Sequence, residues 1–224
     1  MNEFCGVLEE LLADDELKCL ILLGDGPSFS AGVDVGEHGP ETVDEMVGAF
    51  NRIFELMDKF EIPTIAAVHG RALGGGMEVA IACDIIIATR SAVFGQPEIK
   101  LGFIPPYAAI RLPELVGPAK AIEICTTGRT YSAEEFRGMG VVSHVVDDDE
   151  FEGAVEKMAG EVKDNSPLII RLNKRAVKKH LGLGFEEAVE GVTGIFLNEM
   201  MKSADTLEGI KSFYEKRKPE WKNK

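Results

Sequence analysis

The stretch "HGRALGGGMEVAIACD" (69–84) places three consecutive glycines before an apolar segment that contains a single carboxylate, Glu78. Glycines that open a helix leave backbone N–H groups free, and without a Cβ they let a ligand oxygen come close to the peptide. A carboxylate in apolar surroundings costs free energy unless the protein uses it. The stretch therefore predicts a backbone anion site beside a functional glutamate.

Two further segments have the composition to join this site. "FSAGVDV" (29–35) is a glycine-containing loop after a strand, and "FGQPEIKLGFIPP" (94–106) carries a second glutamate, Glu98. An N–H group from each glycine loop would form a two-donor oxyanion hole, and two carboxylates beside it could divide the roles of base and acid. From spacing alone, the alternative of a helix-start Glu78 and an exposed Glu98 stays open. The glycines match neither a Walker loop nor a dinucleotide fingerprint.

The order of elements predicts a mixed α/β protein with a layered, crossover-built core. Apolar residues recur at spacings of three and four between residues 43 and 60, which indicates an amphipathic helix. Short apolar runs indicate strands at 17–24, 64–70, 84–95 and 140–146. "SAEE" (132–135) is a capping box, and helices are predicted over 166–181, 185–201 and 205–217. We divide the chain into a core, residues 1–147, and a helical C-terminal subdomain, residues 148–224.

Composition excludes several classes of partner. The chain of 224 residues has a formal net charge of −14, which argues against nucleic acid as a main partner. It has no apolar run of membrane-spanning length and no secretory signal at its start. Four widely spaced cysteines indicate reduced thiols in a cytoplasmic protein and no metal site. The basic run "RLNKRAVKKH" (171–180) indicates either a solvated helix face or a site for a small polyanion.

Taken together, "FSAGVD", "ALGGGMEVAIACD" and "FGQPEIKLG" resemble the crotonase, or enoyl-CoA hydratase/isomerase, superfamily. The resemblance covers residues 10–224 and implies a spiral of ββα units with a helical C-terminal trimerisation region. The implied assembly is a homotrimer or a dimer of trimers. The resemblance also identifies the N–H groups of Val33 and Gly75 as the oxyanion donors that hold a thioester carbonyl.

The same resemblance implies an activity, the addition of water to an enoyl-CoA thioester in fatty acid or aromatic acid degradation. Glu78 would help to activate the water and Glu98 would exchange the proton at the α-carbon. Coenzyme A enters as part of the substrate, and no other cofactor or metal is expected. The residues expected to contact the acyl-CoA are Ala31, Asp34, Pro105, Tyr107, Phe213 and Lys216.

The sequence departs from the common family pattern in three places. The N-terminal hairpin of the first spiral unit is expected to be missing, and Gly36 replaces a lysine found near the adenine in many relatives. "PPYAAIRL" (105–112) replaces a glycine-rich loop, and we expect its prolines and Tyr107 to reshape the acyl pocket. With "FSAGVDVGEH" (29–38), this segment resembles the cyclohexa-1,5-diene-1-carbonyl-CoA hydratases.

Three other functions stay open at this level. The first is an enoyl-CoA isomerase, and the second is a truncated paralogue that binds CoA or serves in assembly without catalysis. The third is a serine peptidase of the same fold, although the helix opened by the glycines carries no serine nucleophile. His38 could line the acyl pocket or lie on a surface loop, and His69 is expected to be structural.

Overall fold

Helices and short strands alternate along the chain. A computed structural model describes residues 1–224, apart from the side chain of Glu37. The strands are β1 (Leu20–Leu23), β2 (Thr64–Val68), β3 (Arg71–Leu73), β4 (Ile85–Thr89), β5 (Val93–Gly95), β6 (Thr130–Ser132) and β7 (His144–Val146). The helices are α1 (Asn2–Leu12), α2 (Val43–Lys59), α3 (Gly75–Ala82), α4 (Ala108–Val116), α5 (Pro118–Thr127), α6 (Ala133–Gly138), α7 (Phe151–Lys163), α8 (Pro167–Lys179), α9 (Phe185–Asn198) and α10 (Ala204–Glu215).

The chain divides into two structural units. The first consists of Met1–Leu12, Ile21–Lys59 and Thr64–Lys157, and the second of Ala13–Leu20, Phe60–Pro63 and Met158–Lys224. Among the described residues, no helix combines the length and apolar character that a bilayer crossing requires. The first unit holds most of the sheet structure, whereas the second contains α8, α9 and α10.

A four-stranded sheet in the order β1-β2-β4-β7 forms the centre of the first unit. β2 pairs in parallel with β4, with Ile65 opposite Ile85, and β4 pairs in parallel with β7. Every residue of β2 is buried, and four of the five residues of β4 are buried. Such continuous apolar strands are typical of parallel sheets that are covered on both faces.

A second, three-stranded sheet in the order β3-β5-β6 positions the glycine loop that follows β3. β3 runs parallel to β5, and an isolated parallel bridge joins Ser30 to Ala72 of β3. The Ser30 N–H donates to the Arg71 carbonyl at 3.0 Å, and the Leu73 N–H donates to the Ser30 carbonyl at 3.0 Å. These bonds hold the loop after Ser30 beside the start of α3.

The helix starts predicted from serine caps are confirmed. Ser132 and Glu135 form the full capping box at the start of α6. The Ser166 hydroxyl accepts from the Ile169 N–H at 3.1 Å, with Pro167 in the first turn of α8. These caps satisfy N–H groups that have no partner within the helix.

The predicted α/β class with a helical C-terminal region is confirmed, but several boundaries differ. The strand predicted over 17–24 begins only at Leu20, and the one over 140–146 is reduced to His144–Val146. Strands β3 and β6 and helices α4 and α5 were not predicted. The two strands have three residues each, too few for an alternating pattern, and Pro113 lies inside α4.

A buried carboxylate, Asp205, organises the second unit. It is fully buried and accepts from the Ser166 hydroxyl, from the Lys222 N–H at 2.6 Å and from the Asn223 N–H at 3.1 Å. Its own N–H donates to the Lys224 carbonyl at 3.1 Å. The side chain therefore joins the starts of α8 and α10 to the C-terminal residues.

Replacing Asp205 with alanine should lower the free energy of unfolding by about 2–4 kcal/mol, because three donors would lose a charged acceptor in a buried site. Urea denaturation measures this change. Asp149→Ala, at an exposed position, is the control and should change stability by less than about 0.5 kcal/mol. Equal stability of the two variants would contradict the role given to Asp205.

Candidate active site

Two glycine loops of the first unit meet at the start of α3. The Cβ position of Gly32 would lie 3.0 Å from the Leu73 carbonyl and 3.2 Å from the Gly75 nitrogen. Gly32 has φ 98° and Gly74 has φ 56°, a backbone region that residues with a Cβ rarely adopt. Glycine at both positions therefore lets the loops of Val33 and Gly75 lie against each other.

The N–H groups of Val33 and Gly75 are available to a ligand. Gly75 is the first residue of α3, so its N–H has no partner within the helix. Among the described residues, neither N–H donates a hydrogen bond, and both residues line one cavity. Two free donors from adjacent loops, one at a helix start, are suited to hold an oxygen that gains negative charge.

Glu78 lies in the first turn of α3 and lines the same cavity. Its side chain is 2% exposed. Oε1 accepts from the Tyr107 N–H at 2.7 Å and from the Ala108 N–H at 2.8 Å, both at the start of α4. Within the described residues Oε2 accepts no hydrogen bond, which leaves this oxygen for chemistry in the cavity.

The environment of Glu78 favours its neutral form more than water does. Burial raises the pKa of Glu78 to about 7; the N–H groups of Ala108 and Tyr107 lower it, and the nearby Glu98 carboxyl raises it further. Burial and the helix N-terminus thus act in the opposite directions expected from the sequence, and burial has the larger effect. A carboxyl with this pKa can exchange protons near neutral pH.

Glu98 lies in a 3₁₀ turn, Pro97–Leu101, directly beside Gly74. A Cβ on Gly74 would lie 2.3 Å from Glu98 Oε1, so a side chain there would displace the carboxylate. The amide of buried Gln96, oriented to satisfy both groups, donates to Oε1 and Oε2 of Glu98 at 3.1 and 3.0 Å. Burial raises the pKa of Glu98, whereas its own N–H and His38 lower it.

The cavity that these groups share has a volume of about 520 Å³. One wall is apolar and comes from α2 through Val43, Met46, Val47 and Phe50. Another wall follows the 3₁₀ turn of Glu98 and consists of Phe103, Ile104, Pro105 and Pro106. An apolar cavity with a few convergent polar groups is typical of a small-molecule site.

The structure separates the roles of Pro105 and Tyr107. Pro105 is buried and lines the cavity, together with Pro106. The Tyr107 ring instead stacks on Phe54, with ring centroids 3.9 Å apart and planes at 8°, and it is not among the described cavity residues. Burial raises the pKa of its phenol to about 12, so the hydroxyl stays protonated. Tyr107 reaches the site through its backbone N–H, which binds Glu78.

The other predicted contact residues lie at several places. Ala31 lines the cavity, but Asp34 is exposed and its carboxylate accepts from the Gly36 N–H at 2.8 Å. Phe213 and Lys216 belong to the second unit, at the end of α10. Phe213 is 79% exposed, and Lys216 ends the helix in a left-handed conformation with φ 53°.

Comparison with known proteins gives the family of the chain. The model of the family described as enoyl-CoA hydratase/isomerase matches residues 1–224. The chain belongs to this family. Membership confirms the superfamily predicted from the three loop motifs, and the crotonase fold of solved relatives confirms the predicted fold.

Two characterised or named relatives illustrate the range of the enoyl-CoA hydratase/isomerase family. A protein from Dictyostelium discoideum described as a probable mitochondrial enoyl-CoA hydratase is 38% identical over 100% of this chain and 81% of its own length. The cyclohexa-1,5-dienecarbonyl-CoA hydratase of Thauera aromatica is 33% identical over 97% of this chain and 84% of its own length.

Solved structures agree with the fold. A structure described as an enoyl-CoA hydratase from Geobacillus kaustophilus superposes with a TM-score of 0.92 at 26% identity, covering 100% of this chain and 86% of its own. A structure from Bacillus anthracis with the same description gives a TM-score of 0.90 at 32% identity, covering 100% and 88%.

Sequence reasoning missed two features of the site. Gln96 was not singled out, although an amide two residues before Glu98 is a reasonable partner for a carboxylate. The N–H groups at the start of α4 were missed with the helix itself. His38, for which two locations stayed open, lines the cavity, whereas the His69 ring lies near the Gly26 carbonyl at 2.7 Å, outside the described cavity lining.

The Glu78→Gln variant should be more stable than the wild type at alkaline pH. Because folding raises the pKa of Glu78 from 4.5 to about 7, the folded state is penalised when the carboxyl ionises. The penalty is absent below about pH 4.5 and develops as the pH rises through 7. We expect the variant to gain about 1–3 kcal/mol in unfolding free energy at pH 8 and little at pH 4, measured by urea denaturation.

Glu152→Gln on α7 is the matched control, because Glu152 is exposed and should show no such pH-dependent gain. If the stability difference between Glu78→Gln and the wild type were the same at both pH values, the raised pKa of Glu78 would be wrong.

Proposed function

We propose that the protein is an acyl-CoA hydratase that adds water across a conjugated C=C bond of an enoyl-CoA or cyclic dienoyl-CoA thioester. The observation that carries the proposal is one cavity lined by two free backbone N–H donors and two carboxyls, Glu78 and Glu98. Family membership and relatives named as hydratases support the same chemistry.

The proposed reaction begins with the thioester carbonyl between the N–H groups of Val33 and Gly75. Glu78, as the carboxylate, removes a proton from water while the water oxygen bonds to the β-carbon. The C=C electrons move toward the thioester, and the negative charge that forms on its oxygen is stabilised by the two N–H donors. Glu98, as the neutral acid, then gives a proton to the α-carbon. One water molecule is added in total, and the two carboxyls end with their protonation states exchanged.

The two carboxyls have environments that suit different roles. Glu78 is held rigidly, because both of its hydrogen bonds come from backbone N–H groups of α4. Its pKa of about 7 lets it accept a proton near neutral pH. Burial raises the pKa of Glu98, which increases the fraction of neutral acid. The assignment of base to Glu78 and acid to Glu98 is part of the proposal.

The acyl group is proposed to lie against the apolar walls from α2 and from Phe103 to Pro106. The likeness to a cyclohexa-1,5-dienecarbonyl-CoA hydratase supports a cyclic substrate, whereas other relatives are named as short-chain or general enoyl-CoA hydratases. The two prolines fix the wall that contacts the acyl group, since proline restricts the backbone. Ring or chain preference is decided by assay below.

Binding of the CoA portion and assembly are further parts of the proposal. Phe213 and Lys216 are proposed to contact the nucleotide, which is anionic and suits a basic side chain. The exposed apolar residues of the second unit, among them Phe185 at 84% and Tyr214 at 79%, support a homotrimer or a dimer of trimers. A cytoplasmic location and the lack of any cofactor beyond substrate CoA stay predictions.

Crotonyl-CoA and cyclohexa-1,5-diene-1-carbonyl-CoA should be tested side by side, in water labelled with ¹⁸O. We expect the wild type to hydrate at least one of them, with label in the product alcohol. Glu78→Gln and Glu98→Gln should each lower kcat/KM by about 10²–10⁴-fold, because each removes a proton-transfer group. Loss of the conjugated absorbance and mass spectrometry of the product measure this.

Glu152→Gln is the control for the substitution chemistry and should retain full activity. A product that shifts the double bond without taking up label would favour the isomerase. Near wild-type rates in both active-site variants would refute the two-carboxylate mechanism, and no turnover by the wild type on either thioester would refute the hydratase itself.

A further inference from the structure

His38 brings a third proton-transfer group into the proposed active site. It is the last residue of a 3₁₀ turn, Val35–His38, that follows the loop of the oxyanion donor Val33. The ring is half-buried and lines the same cavity as Glu78 and Glu98. No part of the hydration mechanism given above uses it.

The hydrogen bonding of His38 determines which ring nitrogen is available. Nδ1 lies 3.1 Å from the backbone oxygen of Asp34. A carbonyl oxygen only accepts, so Nδ1 must carry a hydrogen in both the neutral and the charged ring. Nε2 is therefore the nitrogen that gains and loses a proton. The ring also packs on Phe103, with centroids 4.7 Å apart, which restricts its orientation.

The charged groups around the cavity make Glu98 the partner of interest for His38. Glu98 and Lys100 come from the same 3₁₀ turn, Glu78 comes from α3, and all three line the cavity with His38. Asp34 lies on the loop of His38 itself. Electrostatic interaction with His38 lowers the pKa of Glu98, which places the two side chains close to each other.

The proposed hydration creates a need for such a group. After each turnover Glu98 is a carboxylate and Glu78 is protonated, so a proton must return to Glu98 before the next cycle. Glu98 is half-buried between the Gly74 backbone and the Gln96 amide. Gln96 donates hydrogen bonds to the carboxylate but cannot give it a proton, because an amide is not an acid in this pH range.

We propose that His38 is the residue that returns the proton to Glu98 between turnovers. The Nε2–H bond of the imidazolium breaks, the proton joins a carboxylate oxygen of Glu98, and a neutral imidazole remains. Solvent water then protonates Nε2 again, while Glu78 releases its proton to solvent, so the cycle consumes no net proton. This inference rests on the proposed hydratase function.

The test compares His38→Gln with the wild type under saturating substrate. We expect kcat to fall about 10-fold or more, with a smaller change in KM, because reprotonation limits turnover and not substrate binding. Added imidazole buffer should restore kcat of the variant in proportion to its concentration, at constant pH and ionic strength. His144→Gln, on an exposed residue of β7, is the matched control and should behave as the wild type.

Unchanged kcat in His38→Gln, or a loss that imidazole does not restore, would overturn the relay. A measurement on the wild type covers the case of a variant that does not fold. Nitrogen-15 NMR of labelled histidine should show His38 with hydrogen on Nδ1 and with Nε2 titrating, and the opposite tautomer would overturn the relay as well.

Proton exchange with a saturated thioester separates failure of the relay from failure of the hydratase. In D₂O the wild type should exchange the α-protons of butyryl-CoA through Glu98, and His38→Gln should slow this exchange about 10-fold or more, with recovery in imidazole. That result supports the relay even if no enoyl thioester is hydrated. Equal exchange in the variant would overturn the relay alone, and no exchange by the wild type would overturn both proposals.

Discussion

The Glu78 carboxyl is removed from water with no ion pair among the described residues, and the rest of the site is arranged around this constraint. Its only protein donors in the described structure are the two N–H groups at the start of α4, which bind one oxygen. These donors partly offset the cost of burial, and the net result is a pKa of about 7. A stable fold would gain from a neutral side chain here, so the retained carboxyl favours a chemical role.

This arrangement explains the unusual segment from Pro105 to Ala108. The backbone N–H groups of Tyr107 and Ala108 must be directed at Glu78, and the prolines before them restrict the approach of the chain. Stacking of the Tyr107 ring on Phe54 holds the start of α4 from the other side. The segment thus determines both the wall of the acyl cavity and the protonation behaviour of the carboxyl beneath it.

Local sequence signals were sufficient for part of the fold. The spacing of apolar residues in α2, the capping box at Ser132 and the Ser166–Pro167 start of α8 each predicted an element that the structure contains. The two parallel sheets depend on pairing between distant segments, such as β2 with β4, which periodicity does not specify. Only the resemblance to the family gave that topology.

The candidate site divides in the same way. Glycines before a lone carboxylate identified Gly75 and Glu78 from local chemistry, because few structures other than a close backbone approach require both. Gln96 and His38 act through contacts with Glu98 that exist only after folding, so no spacing in the sequence distinguishes them from ordinary polar residues. The free N–H of Val33 likewise depends on the Ser30–Ala72 bridge, which is a tertiary contact.

The central claim is that the cavity holds a thioester carbonyl between the N–H groups of Val33 and Gly75. Isotope-edited infrared spectroscopy of butyryl-CoA, labelled with ¹³C at the carbonyl and bound at saturation, tests it most directly. Two N–H donors withdraw electron density from the C=O bond, so the bound carbonyl should absorb at lower frequency than the free thioester. A bound carbonyl with the frequency of the free thioester in water would contradict the account.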